Sequence, residues 1–117
     1  MKISDSEMEI MKVIWSKGEA VTTAQLLEEL NTSWKHTTVL TFLKRLADKK
    51  ALKGQRTGKT NLYSPLISEM EYSNMQAREY LSENHSGSVK NFLAALYNEK
   101  KPSRDELEEI KQWFEEV

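Results

Sequence analysis

Cysteine is absent from this chain, which rules out disulfides, thiolate metal sites and cysteine nucleophiles and is compatible with a reducing compartment. Long apolar runs are absent as well. No stretch approaches the ~20 residues of a membrane helix, and the opening MKISDSEMEI has no charged segment leading into an apolar one, so a soluble, unexported, cytoplasmic protein is expected. The two histidines, His36 and His85, stand without neighbouring cysteine, HExxH pattern or carboxylate at ligand spacing, and there is no GxxxxGK[ST] or GxGxxG loop. Neither catalysis nor a metal or organic cofactor is expected. Internal repeats and low-complexity tracts are missing too, and the two prolines, Pro65 and Pro102, together with the four glycines act as punctuation.

At 117 residues with 38% hydrophobic content, there is room for one compact domain and an appendage. The formal net charge of −1 conceals an asymmetry. Residues 1–65 carry 11 Lys and Arg against 7 Asp and Glu, a balance of +4, whereas residues 66–117 carry 6 against 11, a balance of −5. Between Lys35 and Lys59 there are eight cations and Asp48 alone. Attraction for phosphate is concentrated there.

Ser4-Asp5-Ser6-Glu7 fits a capping box and opens a helix with Met8, Met11, Ile14 and Trp15 as its apolar stripe, stopped by Gly18. Ala20-Val21 is a candidate short strand. Thr22 or Thr23 caps a second helix carrying Leu26, Leu27 and Leu30 to about Asn31. In the third helix, with about 100° per residue and Val39 at zero, Phe42, Leu43, Leu46 and Ala47 share one side. Thr37, Thr41, Lys44, Arg45 and Asp48 fall on the other, a short, hydroxylated and basic face, with Leu40 at the flank. Lys53 to Thr57 and Asn61 to Ser64 then flank Gly58-Lys59, a hairpin turn signal with a cation at its tip.

This order predicts a mainly α fold with a small β-wing, a winged helix-turn-helix over residues 1–66, followed by a helical dimerisation domain over residues 67–117. Charged faces are common on surface helices, and threonines often bond their own backbone, so the third helix alone is ambiguous. A second basic element at the wing, with Lys53, Arg56 and Lys59, points to duplex DNA. The candidate contacts are Lys35, His36, Thr37, Thr38, Thr41, Lys44, Arg45, Arg56 and Lys59. After Pro65 only helices are predicted, from Ser68 to about Glu83, from Ser88 to Lys100-Lys101-Pro102, and from a capping box at Ser103 to Val117. Their apolar faces include Met70, Ala77, Tyr80, Leu81, Val89, Phe92, Leu93, Leu96, Leu107, Ile110, Trp113 and Phe114. Three short helices cannot bury such faces among themselves, so a second copy of the chain is the expected cover.

The segments SDSEMEIMKVIW, AVTTAQLLEEL, WKHTTVLTFLKRLADKKAL and GKTNLYSP, with DELEEI in the last helix, strongly resemble the penicillinase repressor family of BlaI and MecI type, whose sister branch is the copper-responsive CopY type. The resemblance implies a homodimeric repressor, joined through its C-terminal helices, on a dyad operator with TACA and TGTA half-sites. It also implies Thr37, Thr38, Thr41 and Arg45 toward the major groove or its phosphates, and Lys59 as the wing-tip cation. Positions 37 and 40 are basic in the best-known members and are Thr37 and Leu40 here. In the antibiotic-resistance branch a sensor-transducer responds to β-lactam, and proteolysis of the C-terminal domain dissolves the dimer. The family's scissile bond aligns with Ala95-Leu96, one helical turn after Asn91-Phe92. Copper sensing of the CopY type needs a cysteine cluster, which is absent. Two other readings are a winged-helix protein-interaction module, which would show no salt-dependent duplex binding, and a small-molecule-responsive regulator, which would need a ligand pocket.

Overall fold

The computed structural model describes residues 1–30, 33–99 and 102–116. Ser4 caps α1 (Asp5–Lys17) with its hydroxyl accepting the Glu7 N–H at 3.2 Å, while a Glu7 carboxylate oxygen accepts the Ser4 N–H at 2.8 Å. Gly18, at φ 68°, ends the helix in the left-handed conformation that a residue without Cβ tolerates. β1 (Val21–Thr22) leads directly into α2 (Thr23–Glu29), and Thr22 rather than Thr23 is the cap, exchanging hydrogen bonds of 3.1 and 2.8 Å with Gln25. Asn31, Lys100, Lys101 and Val117, to which sequence patterns assign helix ends, lie outside the described residues.

After α3 (His36–Asp48) come β2 (Leu52–Thr57) and β3 (Thr60–Pro65), then α4 (Glu69–Glu83), α5 (Val89–Glu99) and α6 (Arg104–Glu116). The strands form one antiparallel sheet in the order β1-β3-β2, with Val21 opposite Tyr63 and Thr57 opposite Thr60. Two compact units result, Met1–Ser73 and Asn74–Val117, divided within α4.

The first unit holds the core. Ile10, Met11 and Ile14 from α1, Leu26 from α2, and Val39, Leu43 and Leu46 from α3 are buried together with Val21, Ala51 and Leu52. The face that α1 turns inward differs from the stripe predicted for it. Ile10 and Glu7 are buried, whereas Met8 and Trp15 are only half-buried. The first turn of α4 is fastened to this unit by polar ends on aromatic bodies: the Tyr72 hydroxyl accepts the Ile3 N–H at 2.9 Å, and the Trp15 indole N–H donates to the Ile67 carbonyl at 2.9 Å. The composition therefore changes at Pro65, but segment 66–73 still packs with the preceding residues.

Glu7 is the one buried charged side chain among the described residues, 1% exposed. Its carboxylate receives the Lys49 ammonium from the far end of α3. Burial alone would push this carboxyl up, but the Lys49 hydrogen bond, the backbone and side-chain hydrogen bonds of Ser4, and the Lys49 charge together hold it below its ordinary value.

In the second unit none of the side chains whose burial is described is fully buried. Between α4 and α5 the chain turns through three consecutive left-handed residues, His85, Ser86 and Gly87, and the rings of Tyr80, His85 and Phe92 lie 5.6 to 5.9 Å apart around that turn. Leu93, Leu96 and Tyr97 of α5 face Pro102, Leu107 and Ile110 across a hollow of ≈ 440 Å³.

Because the folded Glu7 carboxyl titrates below its unfolded value, its stabilisation is complete above the unfolded range and is lost as pH falls through the folded pKa. Glu7→Gln should therefore show a shallower loss of stability than the unaltered chain between neutral and acid pH, read from urea unfolding at a series of pH values. Lys49→Ala, which leaves the carboxylate with Ser4 alone, should cost about 1 to 3 kcal/mol at neutral pH.

Candidate nucleic-acid interface

The third helix sits with Val39, Leu43 and Leu46 buried, which forces the opposite side outward: Thr37, Thr41, Lys44, Arg45 and Asp48 are all exposed. Lys35 occupies the N-cap in extended conformation without a side-chain cap, and it is exposed, as is His36. Backbone donors of the first helical turn are thus left without a side-chain acceptor from the cap residue. Thr38 and Leu40 are half-buried at the flank. The Thr41 hydroxyl donates to the Thr37 carbonyl at 3.0 Å, the local bond that threonine commonly makes in a helix, and the residue remains exposed.

Lys49 departs from the expected cationic group. Its ammonium is turned to Glu7, so it neutralises a buried carboxylate and does not add to the outer basic face. Lys50 is exposed with φ 64°, a left-handed residue other than glycine at the exit of α3. The Arg45 guanidinium carbon stands 5.8 Å from the centroid of the Phe42 ring, and Phe42 in turn meets Trp34 at 5.1 Å. Trp34 is not among the residues the sequence pattern assigns to the site. The i, i+3 spacing of Phe42 and Arg45 is visible in the sequence, but the approach of Trp34 depends on how the chain enters the helix.

The wing is a two-residue hairpin. Thr57 pairs with Thr60 and leaves Gly58-Lys59 as the loop, with φ 65° at Gly58 and no left-handed residue at Lys59, the pattern of a type II′ turn. Lys59 is exposed at the tip, and Arg56 Nε donates to the Gly58 carbonyl at 3.1 Å, bracing the turn while its other guanidinium donors remain on the surface. Further down the hairpin Tyr63 lies across from Gly54, where an added Cβ would stand 3.1 Å from the ring. The wing therefore presents Lys53, Arg56 and Lys59 on exposed backbone, beside an exposed helix that carries Lys44 and Arg45.

Of the residues assigned to the C-terminal faces, Met70 is 73% exposed and belongs to the first unit. Tyr80, Val89, Leu93, Leu96, Leu107 and Trp113 are exposed large side chains, Ala77 is exposed, Leu81, Phe92 and Ile110 are half-buried, and Phe114 lies on α6. Ala95 and Leu96 fall inside α5, Ala95 half-buried. Among the described residues no group of three His, Cys, Asp or Glu could hold a metal ion, and no helix is long and apolar enough to cross a membrane.

A helix-turn-helix formed by α2 and α3, closed by a basic β-hairpin, defines a winged-helix DNA-binding domain. Comparison with known proteins supplies the family. The penicillinase repressor family model matches residues 3–116, and the chain belongs to that family, one of transcriptional repressors linked to antibiotic resistance. It is 32% identical over 117 residues to the penicillinase repressor of Bacillus licheniformis, across 98% of this chain and 91% of that one. The solution structure of the DNA-binding domain of the repressor BlaI matches 61% of this chain and 88% of its own, with TM-score 0.55 and 40% identity. The Bacillus licheniformis BlaI monomeric form, solved in complex with the blaP half-operator, matches 62% and 89%, with TM-score 0.53 and 38% identity.

Gly58→Ala tests the geometry of the wing. Nothing lies within 4 Å of the new Cβ, so the penalty is conformational alone, and the variant should lose about 1 kcal/mol in chemical unfolding.

Proposed function

We propose that this protein is a homodimeric, sequence-specific transcriptional repressor that binds a dyad operator of TACA/TGTA type through its winged-helix units. The observation that carries the reading is the pairing of one exposed, hydroxylated and basic helix face with a basic hairpin in the same unit. Lys44, Arg45, Arg56 and Lys59 supply cations for phosphate, with Lys35 and the open first turn of α3 adding donors. Thr37, Thr38 and Thr41, with His36 at the helix start, are short enough to bring α3 close to base edges. Support also comes from the related repressor solved as a monomer on a half-operator, since one winged-helix unit per half-site is the arrangement a dyad requires.

The second unit supplies the dimer in this reading. Its helices leave Tyr80, Val89, Leu93, Leu96, Leu107 and Trp113 exposed, too many large apolar groups for a chain that stays alone in water. Two linked units bind the two half-sites as one bivalent event. Release follows from losing the dimer, and cleavage of α5 at Ala95-Leu96 by a protease under a sensor-transducer system would remove apolar contacts and detach α6 together.

Lys59→Ala should weaken binding to dyad and scrambled duplexes alike and lower the salt slope by about one unit per lost phosphate contact. Thr41→Ala should chiefly reduce the ratio between the two duplexes. Fluorescence titration at several salt concentrations separates these effects, and equal binding of both duplexes at every salt concentration would rule out sequence-specific repression. For the dimer, Leu96→Asp places a charge in the apolar face, so the variant should sediment as a monomer and hold the dyad duplex at least tenfold more weakly, with the first unit still folded by circular dichroism. A Leu96→Asp protein that stays dimeric would remove α5 from the interface.

A further inference from the structure

Phe42 and Trp34 are large aromatic residues that the first unit leaves half-buried, although Val39, Leu43 and Leu46 on the same helix as Phe42 are fully enclosed. Their ring centroids are 5.1 Å apart with planes inclined at 59°, a tilted arrangement that attracts aromatic pairs beyond the area they bury. Arg45 follows Phe42 by three residues on α3, and its guanidinium carbon lies 5.8 Å from the Phe42 centroid, inside the ~6 Å over which a ring face attracts a cation. The three side chains thus form a row, Trp34 against Phe42 and Phe42 against Arg45, with exposed Arg45 at its outer end.

The manner of restraint matters. An arginine held by a carboxylate spends its N–H donors on that partner, and among the described residues Arg45 makes no ion pair. One held by an aromatic neighbour keeps its five donors free for a new acceptor while losing part of its rotamer freedom in advance. A long flexible side chain that is already restrained gives up less entropy when it binds.

Resting on the DNA-binding reading above, we propose that Phe42, backed by Trp34, is a positioning residue that pre-orients Arg45 for its contact with duplex DNA. The aromatic pair sits on the edge of the interface, touching the residue that binds and leaving the nucleic acid to Arg45. Specific affinity then depends on an apolar residue that hydrophobic patterning assigns to the core.

The test uses the full chain and two duplexes, one carrying the TACA/TGTA dyad and one scrambled, with Phe42→Leu, Phe42→Tyr, Trp34→Leu and Arg45→Ala singly and Phe42→Leu and Trp34→Leu also in the Arg45→Ala background. Phe42→Leu keeps apolar volume and removes the ring face, so dyad affinity should fall about two- to fivefold for each half-site engaged. Phe42→Tyr should restore it. In the Arg45→Ala background Phe42→Leu should cost nothing further, because the group it positions is gone. Should Phe42→Leu fail to fold by thermal unfolding, Trp34→Leu carries the same comparison in both backgrounds. An equal loss with and without Arg45 would show that the ring acts by packing α3, and an unaltered affinity would show that it does nothing for binding; either result overturns the proposal. If the unaltered chain binds neither duplex, the DNA-binding reading itself fails, an outcome distinct from both.

Discussion

The Glu7 carboxylate ties the beginning of α1 to the end of α3, the helix whose outer face carries Thr37, Thr41, Lys44 and Arg45. A charge that is 1% exposed is tolerable only when it is partnered, and here the Ser4 N–H and the Lys49 ammonium both donate to Glu7 Oε1. One residue therefore closes a helix cap and anchors a second helix 42 positions away. The apolar contacts of Val39, Leu43 and Leu46 hold α3 against the core but are non-directional, whereas the ion pair fixes a particular end of the helix against a particular cap.

With α3 anchored on its inner side, the chemistry of its outer side follows from helical periodicity. The same 3.6-residue repeat that buries Val39, Leu43 and Leu46 exposes Thr37, Thr41, Lys44 and Arg45. Several exposed groups of α3 and the wing are already engaged locally. Thr41 bonds the Thr37 carbonyl, Arg56 braces the Gly58 carbonyl, and Arg45 lies by Phe42. Each contact restrains a side chain without enclosing it, so the face stays accessible while losing part of its disorder.

The two units contrast in how they treat apolar surface. The first builds an enclosed aliphatic core, although Leu66 and Met70 stay exposed, and Trp15 and Tyr72 each complete a hydrogen bond near the start of α4. The second unit leaves leucines and aromatic rings on its surface and carries the acidic share of the charge. This division concentrates the electrostatic attraction for phosphate in the basic first unit, while the acidic second unit repels it.

Much of this was decided locally and could be read from the sequence. The capping residues Ser4, Thr22, Ser68 and Ser103 act on donors within three residues, the Gly58-Lys59 turn pairs its own flanking strands, and the two faces of α3 follow from its periodicity. The rest required distant segments to meet. Pattern alone put Met8 and Trp15 in the α1 stripe, because an acidic residue such as Glu7 is burial-averse until a partner 42 residues away is known. The same partnership withdraws Lys49 from the cationic face. Tyr72 reaches back to Ile3 across 69 residues, and Trp34 meets Phe42 through the path by which the chain enters α3. Spacing along a chain determines which side chains share a helix face or a turn; only tertiary structure determines which faces meet, and therefore which charges are spent on folding and which stay on the surface.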